Sequence, residues 1–111
     1  MSNLSALLVL VLAAVLEAGG DAVVRTGLHA RTAPLSLGLI AAGGALLTAY
    51  GVVVNTPRWD FGRLLGVYVT LFFLAAQILD LVVFKTRPSP PVLVAGVLIL
   101  AGGAVMTFWR A

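Results

Sequence analysis

The sequence predicts an all-α membrane protein with four transmembrane helices, and three observations predict it. Hydrophobic residues make up 61% of the 111 positions, charged residues 10%, and mean hydropathy is +1.13. A soluble domain this small leaves much of its surface in water and has nowhere to hide that much apolar area. The apolar residues also fall into four runs, each close to the ~20 residues that cross a bilayer as a helix. Between the runs stand polar, proline-containing breaks. Lipid cannot satisfy backbone N–H and C=O groups, so runs of this length are helices; barrel strands would be half as long and alternating.

The first helix is expected over residues 3–24, with Glu17 and Asp21 inside it and Arg25 closing it. A signal peptide carries a basic n-region, and no Lys or Arg precedes Arg25, so this run is expected to remain as a helix. The second is expected over 34–55, opening on Pro34 and stopped by Asn55-Thr56-Pro57. A third, over 62–84, is interrupted by Thr70, Gln77 and Asp80. Lys85-Thr86-Arg87-Pro88-Ser89-Pro90-Pro91 then forces a turn, because prolines remove donors and push their predecessors out of helical geometry. The fourth is expected over 91–109, and the whole chain, 1–111, is read as one transmembrane domain. Gly38 with Ala42, and Gly96 with Gly103 a heptad later, place small residues where helix backbones approach closely. Packing within one subunit and a dimer seam are both open readings of that pattern.

There are no cysteines, which excludes a disulfide scaffold, a thiolate nucleophile and a Cys-ligated metal. The formal net charge of +3 comes from basic residues scattered singly between apolar runs, so they read as membrane anchors and not as a nucleic-acid patch. With four spans, Arg58, Arg63 and Arg110 share one side and Arg25, Arg31, Lys85 and Arg87 the other. Three against four gives almost no positive-inside bias. One reading is a dual-topology protein that pairs as an antiparallel homodimer; the other is a single orientation fixed by other means. Four thin helices enclose too little volume for a solute path, which favours a second subunit.

Glu17 lies roughly 20 Å along its helix, a few ångströms past the bilayer midplane. An ionisable group at that depth is costly and marks an ion or proton path. Ala13, Ala14 and Gly20, its helical neighbours, are expected to leave a cavity around the carboxyl group. Low dielectric penalises the charged form while a bound cation favours it, so one acid can hold either protons or a cation, the minimum equipment for antiport. Asp21 and Asp80 lie near the membrane face that carries Arg25, and the three are expected to form an interfacial salt-bridge cluster or gate, with direct contact of the two acids to substrate as the alternative. Gly66, Thr70, Phe73, Gln77 and Asp80 follow one face of the third helix, the surface expected to look toward Glu17. Tyr68, two turns inside, is the expected aromatic wall for a cation. Trp59, Trp109 and Tyr50 read as interfacial belt residues, and His29 as a solvated turn residue. No catalytic triad, phosphate loop or metal motif is present, so neither an enzyme nor a bound cofactor is expected.

Leu16-Glu17-Ala18-Gly19-Gly20 in a first short helix, Gly62-Arg63 ahead of Gly66-Val67-Tyr68-Val69, Asp80 eleven residues later, and Arg87-Pro88 resemble the small multidrug resistance superfamily, in detail its YnfA-like branch. The resemblance implies an antiparallel homodimer in the bacterial inner (plasma) membrane that exchanges protons for cationic, often hydrophobic, small molecules. Glu17 would be the shared proton and substrate site; Tyr68 and Gln77 are placed beside it by the reading of the third helix above, not by the resemblance. The chain departs from the branch in carrying Asp21 where tryptophans often follow the Glu. Two alternatives stand beside the exporter: an accessory subunit of a lipid-carrier flippase, which would depend on Arg25 and its basic neighbours, and a small structural membrane protein.

Overall fold

The computed structural model describes residues 2–109, and among them every regular element is a helix: α1 (Asn3–Leu28), α2 (Ala33–Val54), α3 (Phe61–Val82) and α4 (Pro90–Phe108). All four are long and apolar enough to cross a membrane. Arg110, counted above in the charge balance, lies outside the described residues.

Local chemistry sets the helix ends. The Ser2 hydroxyl accepts from the Ser5 N–H at 3.1 Å and opens α1. Thr32 does the same for α2, accepting from Leu35 N–H at 3.4 Å, with Pro34 in the first turn. Prolines 90 and 91 open α4, where their missing N–H groups cost nothing. The first helix runs one turn beyond the expected 3–24. Arg25 does not end it, because its guanidinium lies 5.6 Å over the Phe84 ring and Thr26 donates to the Ala22 carbonyl at 2.9 Å. Asn55 falls outside α2 as its C-cap, turning its side chain back to donate to the Gly51 carbonyl at 2.8 Å. The third helix stops two residues short of the expected 84, with Val83 as its cap. Lys85 follows at φ 56°, a left-handed conformation that lets Thr86 N–H reach the Asp80 carbonyl at 2.9 Å.

Helix α1 is the centre: α2 and α3 both pack on it, and α4 packs on α3. The result is a shallow slab of 53 × 34 × 18 Å. Its core is Leu10, Ala13 and Ala14 of α1, Val54 of α2, and Leu64, Val67 and Tyr68 of α3. Large apolar side chains such as Leu37 and Leu98 face outward, as expected of a surface solvated by lipid.

Without a hydrophobic force between helices in lipid, small residues decide which helices meet. Gly96 and Gly103 lie against Phe73 and Thr70 of α3, so this pair serves packing inside the subunit. Met106 of α4 fills the space beside Gly66, and Arg63 donates to the Met106 carbonyl at 3.1 Å and the Thr107 carbonyl at 3.5 Å. The expected close approach at Gly38 and Ala42 is not used within the subunit: Gly38 has open space and Ala42 is exposed. The next residue, Gly43, takes that part against Gly20 and Val24, and Gly27 admits Leu39 and Ile40. A one-residue shift along α2 rotates the contact by about 100°, which a list of small residues does not resolve.

A carboxylate under an aromatic wall

Along the 26 residues of α1, Glu17 sits about 2 Å past the helix centre at 1.5 Å per residue. It occupies the angle between the side of α1 that meets α2, marked by Gly20, and the side that meets α3, marked by Ala14. Its carboxylate Oε1 accepts a 2.6 Å hydrogen bond from the Tyr68 hydroxyl, which also reaches the Ala13 carbonyl at 3.5 Å. The Oε2 atom takes no hydrogen bond from the described residues. Tyr68 is 4% exposed, held by the core of α1 and α3. Its ring lies 5.5 Å from that of Tyr50 in α2 and 6.1 Å from that of Phe72, both tilted by about 30°. Three helices thus meet at one acid: α1 supplies the carboxylate, α3 the hydroxyl, and α2 the ring that backs the hydroxyl's own ring.

This arrangement has definite chemical capacity. A charge-assisted hydrogen bond of 2.6 Å stabilises the carboxylate and fixes its direction. The half-buried group keeps one oxygen for a proton or a cation.

The remaining expected site residues divide. Gln77 and Asp80 do not look toward Glu17; with Asp21 and Arg25 they line a separate cleft of about 520 Å³ between α1 and α3, nearer the end of those helices. Thr70 turns away, its hydroxyl directed to the Ile99 carbonyl at 3.4 Å and its side chain against Gly103 of α4. The expected stripe on α3 therefore splits: Gly66, Thr70 and Phe73 serve α4, and only its last two members line a cleft. Ala13 and Ala14 are packed at 0% and 1% exposure and Gly20 is covered by Leu47, so these small residues bring helices together, and Ala14 also lines an apolar cleft of about 400 Å³ between α1 and α3.

Tyr50, expected in the interfacial belt, belongs to the centre instead. The pattern that points to it is Gly43, Leu47, Tyr50 and Val54, one face of α2 at helical spacing that carries both its buried residues. Trp59 is half-buried under the Arg63 guanidinium at 4.7 Å, whereas Trp109 is exposed. His29 caps α1 in an exposed turn. Among the described residues no group of three or more His, Asp or Glu side chains converges as a metal site.

Four apolar helices around a half-buried central carboxylate define a polytopic membrane protein with a polar centre at mid-span. A UPF0060 membrane protein of Frankia casuarinae is 33% identical over 111 residues, covering 99% of this chain and 98% of that protein. The chain belongs to the UPF0060 family of membrane proteins, the YnfA family, which is similar to the small multidrug resistance proteins. No family model matches the chain, and no solved structure matches it.

Proposed function

We propose that this protein is a proton-coupled antiporter that exports small or hydrophobic cationic compounds across the bacterial plasma membrane, working as an antiparallel homodimer. The observation that carries the reading is the Glu17 carboxylate, held at mid-span by Tyr68 at 2.6 Å with one oxygen left for a proton or a cation. A cation and a proton compete for that one acid, so binding of either releases the other, and the exchange couples the two fluxes.

The slab supports the dimer. A solute path needs helices on opposite sides, whereas the main contacts here run in the open order α2, α1, α3, α4. Two inverted copies facing each other supply the missing wall. Glu17 sits so near the centre of α1 that the two carboxylates then lie within about 5 Å of the same level. Inverted symmetry lets a single site open alternately to either face. The flippase-subunit alternative would need Arg25 to hold a lipid phosphate, yet Arg25 shares its cleft with Asp21 and Asp80, which repel an anion.

The test is uptake of radiolabelled benzyltrimethylammonium by purified protein in liposomes, driven by a pH gradient acid inside. Wild type accumulates the cation against its gradient, while Glu17→Gln, which keeps shape but cannot exchange a proton, accumulates none and elutes as the same oligomer. Gradient-driven uptake by Glu17→Gln would overturn the mechanism.

A further inference from the structure

The cleft at the end of α1 and α3 is separate from the Glu17 centre. Its volume is about 520 Å³, and its walls combine two carboxylates, Asp21 and Asp80, with the Gln77 amide and the Phe72 and Phe84 rings. One cation of the chain already sits there: the Arg25 guanidinium lies 5.6 Å over the centre of the Phe84 ring, a seat built for positive charge above an aromatic face. Two carboxylates against one guanidinium leave the cleft with a formal charge of −1. Arg25 is exposed, so its long side chain is free to swing outward. Phe72 is common to both places, lining the cleft on one side and standing 6.1 Å from the Tyr68 ring on the other.

We infer that this cleft is an outer binding site for a monovalent organic cation, and that Arg25 is a tethered competitor which the cation displaces from Phe84. The cation's charge meets Asp21 and Asp80, its apolar body replaces the guanidinium on the ring, and Phe72 separates this first station from Glu17. The inference deepens the export reading and rests on it for the direction of travel, but binding at the cleft is measurable without transport.

Calorimetric titration of benzyltrimethylammonium into full-length protein in detergent micelles, on a Glu17→Gln background, isolates the cleft from the central site. Adding Arg25→Gln should tighten binding about three- to fivefold, the factor that an exposed cation–π contact is worth. Adding Arg25→Lys, which keeps the charge but loses the planar guanidinium, should give a smaller gain, and further adding Asp80→Asn to Arg25→Gln should reverse it. Arg31→Gln removes a charge from the same end of the molecule but from outside the cleft, and should change nothing. Equal affinity with and without Arg25, the same gain from Arg31→Gln, or no binding in any variant would overturn the inference. Failure of the export reading is seen separately, as gradient-driven uptake that survives Glu17→Gln.

Discussion

The crossing of α1 and α2 sets the position of Tyr50, and one methyl group tests it. An ideal Cβ on Gly43 would lie 2.5 Å from Val24 Cγ2, 2.8 Å from the Gly20 carbonyl oxygen and 3.0 Å from the Val24 nitrogen. Ordinary contacts of this kind are about 3.5–4.0 Å. A side-chain methyl can rotate aside, but the carbonyl and nitrogen belong to the α1 backbone, so the helices must separate by about 1 Å. Gly43→Ala is therefore expected to cost about 1–3 kcal/mol, the range for overpacking a tight contact. The adjacent Gly44 has nothing within 4 Å of its Cβ position, and Gly44→Ala should be neutral or stabilising by up to about 1 kcal/mol from helix propensity. Two neighbouring, chemically identical changes thus have opposite expected signs. Titration of each variant from dodecylmaltoside into SDS, with helix content read by circular dichroism, gives both values. Gly43→Ala should also lower transport, because moving α2 takes the Tyr50 ring away from Tyr68. Equal stabilities for the two variants would refute the α1–α2 geometry and with it the placement of Tyr50.

Three further outcomes are expected. Tyr68→Phe keeps the ring against Tyr50 and Phe72 but removes the donor to Glu17; a hydrogen bond to a charged group contributes about 1.5–3 kcal/mol, so cation affinity or exchange rate should change by roughly tenfold or more, read by the same calorimetry and liposome uptake. Lys85→Gly relieves a left-handed backbone that costs a side chain about 1 kcal/mol and should raise stability toward SDS by a similar amount. A reporter fused at the C-terminus should be found on both sides of the membrane, given the three-against-four balance of Lys and Arg; detection on one side only would contradict dual topology.

The spans were legible because lipid imposes a simple requirement, and hydropathy with proline breaks reports it directly. Arg25 was the misleading residue: a single basic side chain near a helix end looks like a stop, yet it lies along Phe84 while the backbone continues to Leu28. At the centre, depth and spacing pointed to both Glu17 and Tyr68, the two groups that the fold joins by a hydrogen bond. What spacing did not carry is which neighbour each face meets. Helix α3 has two partners, and Thr70 and Gln77, read on one stripe, end on α4 and in the outer cleft. Ala13, Ala14 and Gly20 were read as space around an acid, but Ala13 and Gly20 give theirs up to the helices that pack there, and Ala14 lines an apolar cleft between α1 and α3. Tyr50 was hidden by its nearness to a span end, although its spacing from Gly43 already put it on the packed face.

The central claim is that Glu17 exchanges a proton for a cation, and proton release on cation binding measures it most directly. Benzyltrimethylammonium titrated into purified protein in weakly buffered micelles, over a series of pH values reaching down to where carboxylic acids hold their protons, should release protons on binding at the acidic end of the series, and Glu17→Gln should release none. Release of the same size from Glu17→Gln, or saturable binding by the wild type with no proton released at any pH of the series, would contradict the account.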